Sequence, residues 1–133
     1  MKTLPLRLVP GQDLRAALAD VLAAHGTAAG FVLQGIGSLR GARLRLAGAA
    51  QATQVGGDIE ILTLAGSLSP DGPHLHMSVA DAAGRVLGGH VLAGCTIRTT
   101  AEILIALLPG HRFARELDAA SGFDELVVHS HDC

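Results

Sequence analysis

Three of the seven histidines of this 133-residue chain lie in one stretch, residues 72–95, at spacings that a single simple structure would bring together. His74 and His76 are separated by one residue, and His90 follows fourteen positions after His76. Three imidazoles form a common ligand set for zinc, with metal–nitrogen distances of about 2.0–2.1 Å and a fourth coordination position left for water or a ligand. A metal site of this kind requires the local fold to place the three rings on one side of the chain.

A β-hairpin would place them so. Residues 82–84, Ala-Ala-Gly, have the composition of a three-residue hairpin loop, a type I turn followed by glycine in the left-handed region. This turn pairs Asp81 with Arg85 and, counted back along both strands, His76 with His90. Side chains alternate between the two faces of a strand, so the register separates histidines from apolar residues. The two predicted faces carry His74, His76, Ser78, Gly88 and His90 on one side and Leu75, Met77, Val79, Leu87 and Val91 on the other.

Two interpretations of the histidine face remain open. In the first, His74, His76 and His90 bind one divalent metal ion, for which zinc is the expected choice, and the glycines at 88 and 89 leave room for a ligand. In the second, the histidines lie on a polar, solvent-facing hairpin and only form hydrogen bonds. A metal with an open position would also permit hydrolysis or hydration of a small substrate, with Glu60 or Glu102 as the candidate proton acceptor. Glu60 could instead pair with an arginine, and this structural role is the one that we favour.

The composition predicts one domain with an aliphatic core. A chain of 133 residues can bury a substantial core without disulfides, and although 49% of the residues are hydrophobic, only three are aromatic, all phenylalanine. The sequence has no run of 18 apolar residues and no signal-peptide pattern at its start, so we expect no membrane association and a cytoplasmic location. Cys95 and Cys133 do not form a disulfide framework, and Cys95 is expected to be a buried free thiol.

The charge balance argues against tight binding to a DNA duplex. The net charge is −2 with histidines neutral, whereas nucleic-acid-binding domains usually present a basic face. Arg40, Arg43 and Arg45 form one loose cluster, which we interpret as an exposed strand face. A dimer or trimer could still gather several copies of this cluster into one patch.

The elements around the hairpin follow from periodicity and from turn residues. An apolar stripe with spacings of three and four, with Asp13 in the first turn and Gly26 as the C-terminal cap, predicts a helix that covers one face of a sheet. The segment before the hairpin is expected to contain a strand at 4–9, a helix at 12–26, strands at 29–39 and 40–48, a connecting segment at 48–57 and a central strand at 58–69.

The segment after the hairpin is less clear. Residues 96–108 match a helix capping box at Thr99–Glu102, but their β-branched residues favour a strand. Residues 112–122 are expected to be turn-rich or a short helix, and 123–130 a last strand. The tail 129–133 contains His129, His131 and Cys133, which we expect to scavenge metal by chance at most.

The segments GFVLQGIGSL, DIEILTLAGSLS, HLHMSVAD, GRVLGGHVLAGC, TTAEI and GFDELVV occur in this order. With them, the chain resembles the plant-and-prokaryote conserved (PPC) domain family over about residues 4–128. The resemblance implies an α+β fold, with an antiparallel β-sheet and a packed N-terminal helix in a single domain over 1–133. It also implies that 96–108 is a strand and that the protein assembles as a homotrimer.

In plants, PPC domains are joined to AT-hooks, which contact the minor groove of DNA through an Arg-Gly-Arg-Pro core. No such core occurs in this sequence, and the nearest segment, Arg40-Gly41-Ala42-Arg43, lacks the second arginine position and the proline. Three functions therefore follow as expectations. The first is a homotrimer that binds a divalent metal, with or without a small-molecule ligand. The alternatives are a DNA-binding or regulatory protein, as the family label suggests, and a metal-dependent hydrolase or lyase of a small substrate.

Overall fold

The computed structural model describes residues 1–130 and consists mainly of antiparallel β-structure. Its elements in chain order are β1 (Lys2–Leu8), α1 (Leu14–Ala19), α2 (Val21–Ala24), β2 (Gly30–Arg45), β3 (Thr53–Ser69), β4 (Gly72–Ala80), β5 (Val86–Val91), β6 (Ile97–Leu107), β7 (His111–Leu117) and β8 (Asp124–Ser130). The first six strands form one sheet in the order β1-β6-β2-β3-β4-β5, and β7 pairs with β8 in a separate hairpin. The end of β2 also pairs with β5, so this part of the sheet curls back on itself.

The core lies on one face of the sheet and is aliphatic, as the composition predicts. Leu64 of β3 and Leu75 of β4 are fully buried on this inner face. The helices cover it, and Leu14 and Leu18 of α1 are buried where α1 contacts β4. The opposite, outer face therefore carries the other set of alternating side chains, which includes the three histidines.

The prediction of one continuous helix at 12–26 is wrong, because the segment forms two short helices of six and four residues. The amide of Asp20 donates to the carbonyl of Leu18 instead of that of Ala16, which interrupts the α-helical ladder. Gly26 has a φ of +62°, the left-handed conformation expected after the helix. The fold is thus mostly β rather than an even mixture of helix and sheet. None of the helices within residues 1–130 is long and apolar enough to cross a membrane.

The strands predicted on either side of residue 40 are one strand, β2. Its pairing with β3 shifts between Arg40 and Ala42, where Gly41 adopts a φ of +77°. A β-bulge therefore bends a continuous strand at a point where the sequence suggested a break. The predicted connecting segment at 48–57 is also too long, because β3 already begins at Thr53.

The carboxyl-terminal third, as far as residue 130, consists of strands joined by turns and loops. Residues 96–108 contain β6, as the family resemblance implied. The prediction of turns or a short helix at 112–122 is wrong for its first half, since β7 pairs with β8 and buries Phe113 against the edge of the Phe31 ring. Strand β8 includes His129, while the rest of the predicted tail, residues 131–133, lies outside the described range. Cys95 is a buried free thiol, as predicted.

Candidate metal centre

The β4–β5 hairpin has the register that its turn predicts. His76 pairs with His90, and the amide of Asp81 donates to the carbonyl of Arg85 over 2.9 Å. Gly84 closes the turn with a φ of +79°, a conformation that residues with a side chain rarely adopt. The Asp81 carboxylate accepts the backbone amide of Arg85 and also its Nε, each at 2.9 Å. The prediction of the hairpin and its register is confirmed.

The three predicted histidines come together on the outer face. The ring centroids of His74 lie 4.9 Å from His76 and 5.0 Å from His90, and those of His76 and His90 are 5.6 Å apart. One nitrogen from each ring can be chosen so that all three lie within 4.8 Å of one another. Some point then lies no more than about 2.8 Å from all three nitrogens, so small ring rotations would reach the zinc–nitrogen distance of about 2.0–2.1 Å.

Glycines hold the strands around the histidines close together. A Cβ atom at Gly88 would lie 2.8 Å from the carbonyl oxygen of Met77, and one at Gly89 would lie 2.6 Å from that of Arg45. These glycines therefore permit close approach of neighbouring strands, rather than leaving space for a ligand as the sequence suggested. Gly66 of β3 has the same role, because a Cβ atom there would overlap the carbonyl oxygen of His74.

The surroundings of the cluster favour neutral imidazoles. Burial, followed by the neighbouring charges of His74 and Arg45, lowers the pKa of His90 from 6.5 to about 4. Burial and then the charge of Arg115 also lower the pKa of His74, against a smaller opposing effect of Glu125. Both rings are therefore unprotonated at neutral pH and keep a lone pair with which to bind a metal.

The two candidate carboxylates lie away from the histidines. Glu60 and Glu102 face an open pocket of about 410 Å³ on the outer side of β2. Within residues 1–130, the group of side chains close enough together to hold a metal ion consists of the three histidines and includes no carboxylate. The arginine pairing favoured for Glu60 does not occur within residues 1–130, where the nearby Arg98 places its Nε 3.7 Å from the carboxylate of Asp58.

Sequence reasoning missed two arginines beside the cluster. Arg45 lies on an exposed strand face, as the sequence predicted, but its position as the direct cross-strand neighbour of His90 was not expected. Arg115 stood in a segment expected to be turns or helix, but its guanidinium donates to the hydroxyl of Ser67, the cross-strand neighbour of His74. The alternation of Arg43 and Arg45 with leucines was a signal for the first, whereas the second depends on the docking of a distant hairpin.

The protein is similar to proteins of known sequence and structure. It is 50% identical over 128 residues to the bifunctional protein GlmU of a Synechococcus strain, matching 96% of this chain but only about a fifth of that protein's length. A solved structure of a hypothetical protein from Salmonella cholerae-suis shares 40% identity with a TM-score of 0.92, covering 97% of this chain and 94% of that one.

Two more distant solved structures have the same fold. A metal-containing protein from Archaeoglobus fulgidus shares 25% identity and a TM-score of 0.79, with 96% of this chain and 94% of that one covered. A protein from Bacteroides thetaiotaomicron, described as a candidate DNA-binding protein, shares 19% identity and a TM-score of 0.82, with coverages of 94% and 91%. The sequence model of the Plants and Prokaryotes Conserved (PCC) domain, the family called PPC above, matches residues 1–109 of this chain. The chain therefore belongs to this family.

Proposed function

We propose that this protein binds one divalent metal ion through His74, His76 and His90, and that the ion is zinc. The observation that carries the proposal is the convergence of three ring nitrogens within 4.8 Å on a hairpin whose turn fixes their register. An imidazole donor set suits zinc, and the pKa shifts of two of the rings keep them available as ligands. When bound, such an ion supplies a Lewis acid with an open coordination position.

The test is elemental analysis of purified, untagged protein, with two histidine variants. We expect about one equivalent of zinc per chain in the native protein and loss of the metal in His76→Ala. The matched control is His25→Ala, because His25 caps the end of α2, forms a hydrogen bond through Nδ1 with the carbonyl of Val21 and takes no part in the cluster. A folded native protein that takes up no divalent metal, or a His76→Ala variant that retains it, would contradict the proposal.

We also propose that the protein is a homotrimer, as the family resemblance implies. Four large apolar side chains on neighbouring strands support an interface between copies, because each is at least 40% exposed: Leu33, Ile36, Leu62 and Leu104. An exposed apolar group of this kind is typical of a surface that another subunit covers. Light scattering at micromolar concentration should give the mass of three chains, and the mass of one chain would refute the proposal.

A DNA-binding or regulatory role is the second candidate. It is favoured by the exposure of Arg40, Arg43 and Arg45 along β2, which three subunits would multiply to nine charges. With a net charge of −2 per chain, we expect binding to a generic duplex no tighter than the non-specific range of about 10⁻⁴–10⁻⁶ M at physiological salt. Submicromolar, sequence-selective binding that is lost in an Arg43→Ala, Arg45→Ala double variant would instead establish this role.

A metal-dependent hydrolase or lyase needs a proton acceptor near the ion. Glu60 and Glu102 line a different part of the outer face, as described above. Glu125 is the carboxylate whose charge acts on His74, and it comes from β8. Enzymatic chemistry at this centre would therefore use Glu125 or an acceptor on the substrate itself, and loss of a measured activity in Glu125→Gln would support this assignment.

A further inference from the structure

We propose that the open position of the metal centre takes a small oxyanion, a carboxylate or phosphate group, whose charge is bound by Arg45 and Arg115. This inference rests on the metal site proposed above and names the class of ligand that the site accepts. Each of the two arginines lies next to a histidine of the cluster, and neither forms an ion pair with a carboxylate within residues 1–130.

Arg45 stands directly beside the cluster. In the antiparallel pairing of β2 with β5 it is the partner of His90, and side chains of directly paired residues share a face with Cβ atoms about 4.5–5.5 Å apart. Its side chain is exposed rather than packed into the core. Within residues 1–130 the two ion pairs are Arg85 with Asp81 and Arg98 with Asp58, so the charge of Arg45 is not neutralised by a carboxylate there.

Arg115 reaches the opposite side of the cluster from the β7–β8 hairpin. Its guanidinium donates to the hydroxyl of Ser67, which is buried and is the cross-strand partner of His74. Its backbone amide donates to the carboxylate of Asp71 over 2.8 Å, which anchors β7 near the turn between β3 and β4. Two bonds from separate atoms thus hold Arg115 beside His74, and its guanidinium also forms no ion pair in the described part of the chain.

The local charge is positive even without a metal. Arg15 adds a third guanidinium, which bonds to the carbonyl of Pro73 immediately before His74. Arg115 and Arg15 act on His74, and Arg45 and Arg15 act on His90, while Glu125 opposes them at His74 and the Asp71 carboxylate lies on the backbone amide of Arg115. A divalent ion held by neutral imidazoles would add two positive charges, so an anionic ligand compensates this field far better than a neutral one.

The two arginines flank the cluster next to different histidines. Arg45 neighbours His90 and Arg115 neighbours His74, while the rings of these two histidines lie 5.0 Å apart. A carboxylate or phosphate group has at least two oxygens, so it could bind a metal at the cluster through one of them and a guanidinium through another. Arginine is suited to this role because its planar fork binds two oxygens of a carboxylate or phosphate.

The experiment uses the full chain loaded with cobalt(II), whose visible absorption reports ligand exchange at the metal. Acetate and inorganic phosphate are titrated separately at constant ionic strength into the native protein and into Arg45→Ala and Arg115→Ala. The matched control is Arg7→Ala, which removes the same charge from an exposed position of β1, at the far edge of the sheet. Cobalt affinity is measured first in each variant, and circular dichroism checks the fold.

We expect at least one of the two anions to change the cobalt spectrum saturably. Each arginine variant should weaken this binding about tenfold or more, since a hydrogen bond to a charged group is worth at least a factor of ten, and the control should change it less than twofold. Cobalt affinity should stay the same or rise in the variants. Arg45→Lys and Arg115→Lys, which keep the charge, should retain part of the anion affinity and serve where an alanine variant fails to fold.

The outcomes separate the two proposals. If the native protein binds no cobalt, the metal site itself is wrong and this inference falls with it. If cobalt binds but neither anion alters its spectrum, or if the arginine variants bind anion as tightly as the control, the anion inference alone is overturned. It is equally overturned if phosphate binds undiminished to a His76→Ala protein that has lost its metal, because the anion is then bound without the metal.

Discussion

Replacement of Gly66 by alanine tests whether β3 and β4 approach each other as closely around the histidines as the structure indicates. The added Cβ atom would overlap the carbonyl oxygen of His74 and lie 2.8 Å from Cα of Leu75. Both neighbours are backbone, so no side-chain rotation can relieve the overlap and the strands must separate. Overpacking costs about 1–3 kcal/mol and each weakened ladder hydrogen bond about 1 kcal/mol, against an entropic gain of about 0.4–1 kcal/mol. We expect Gly66→Ala to lower the free energy of unfolding by about 2–3 kcal/mol.

Two other glycines provide matched controls. Gly56 lies in the same strand, but a Cβ atom there meets nothing within 4 Å, so Gly56→Ala should be neutral or slightly stabilising. Gly37 of β2 is also crowded by backbone, with a Cβ position 2.6 Å from the Thr100 carbonyl oxygen, but it lies beside β6. Gly37→Ala should therefore destabilise the protein and leave the metal affinity unchanged, whereas Gly66→Ala should lower both.

The assay is urea unfolding of the metal-free protein at 25 °C, followed by cobalt titration of each variant under native conditions. With an m-value of about 1.5–2 kcal/mol/M, the expected destabilisation moves the unfolding midpoint by about 1–2 M. Equal midpoints for Gly66→Ala and Gly56→Ala would refute the close packing of β3 on β4. Loss of metal affinity in Gly37→Ala as large as in Gly66→Ala would refute the claim that β3 positions His74.

Two further predictions concern the hairpin. The folded chain keeps His90 unprotonated down to a pKa of about 4, whereas the unfolded chain protonates it near 6.5, so the metal-free protein should lose stability as the pH falls from 6.5 towards 4. Urea midpoints across this range should fall less steeply in His90→Ala, and an identical slope would contradict the assignment. Asp81→Ala removes the carboxylate that accepts the turn amides and should lower the urea midpoint, whereas Arg85→Ala removes only an exposed ion pair and should change it little; equal effects would show that the amide bonds do not hold the turn.

The hairpin could be predicted from the sequence because every determinant of its register is local. The turn at 82–84 decides which residues face each other, and the alternation of histidine with leucine and methionine decides which face is buried. A register error of one residue would have buried the histidines, so the pattern admits a single solution. For the same reason the candidate metal ligands could be named without knowledge of the remaining strands.

The rest of the centre depends on contacts between residues that are distant in sequence. Arg115 and Ser67 are 48 positions apart, and their contact requires the β7–β8 hairpin to dock beside β3, which no local pattern specifies. The segment 112–122 looked like turns or a helix because its pairing partner, β8, supplies the hydrogen bonds that make it a strand. Net charge is misleading for a related reason. A chain with an overall charge of −2 can still surround one site with arginines when the fold keeps most of its carboxylates elsewhere. The sign of the local field, and with it the class of ligand, therefore emerges only when the strands are assembled.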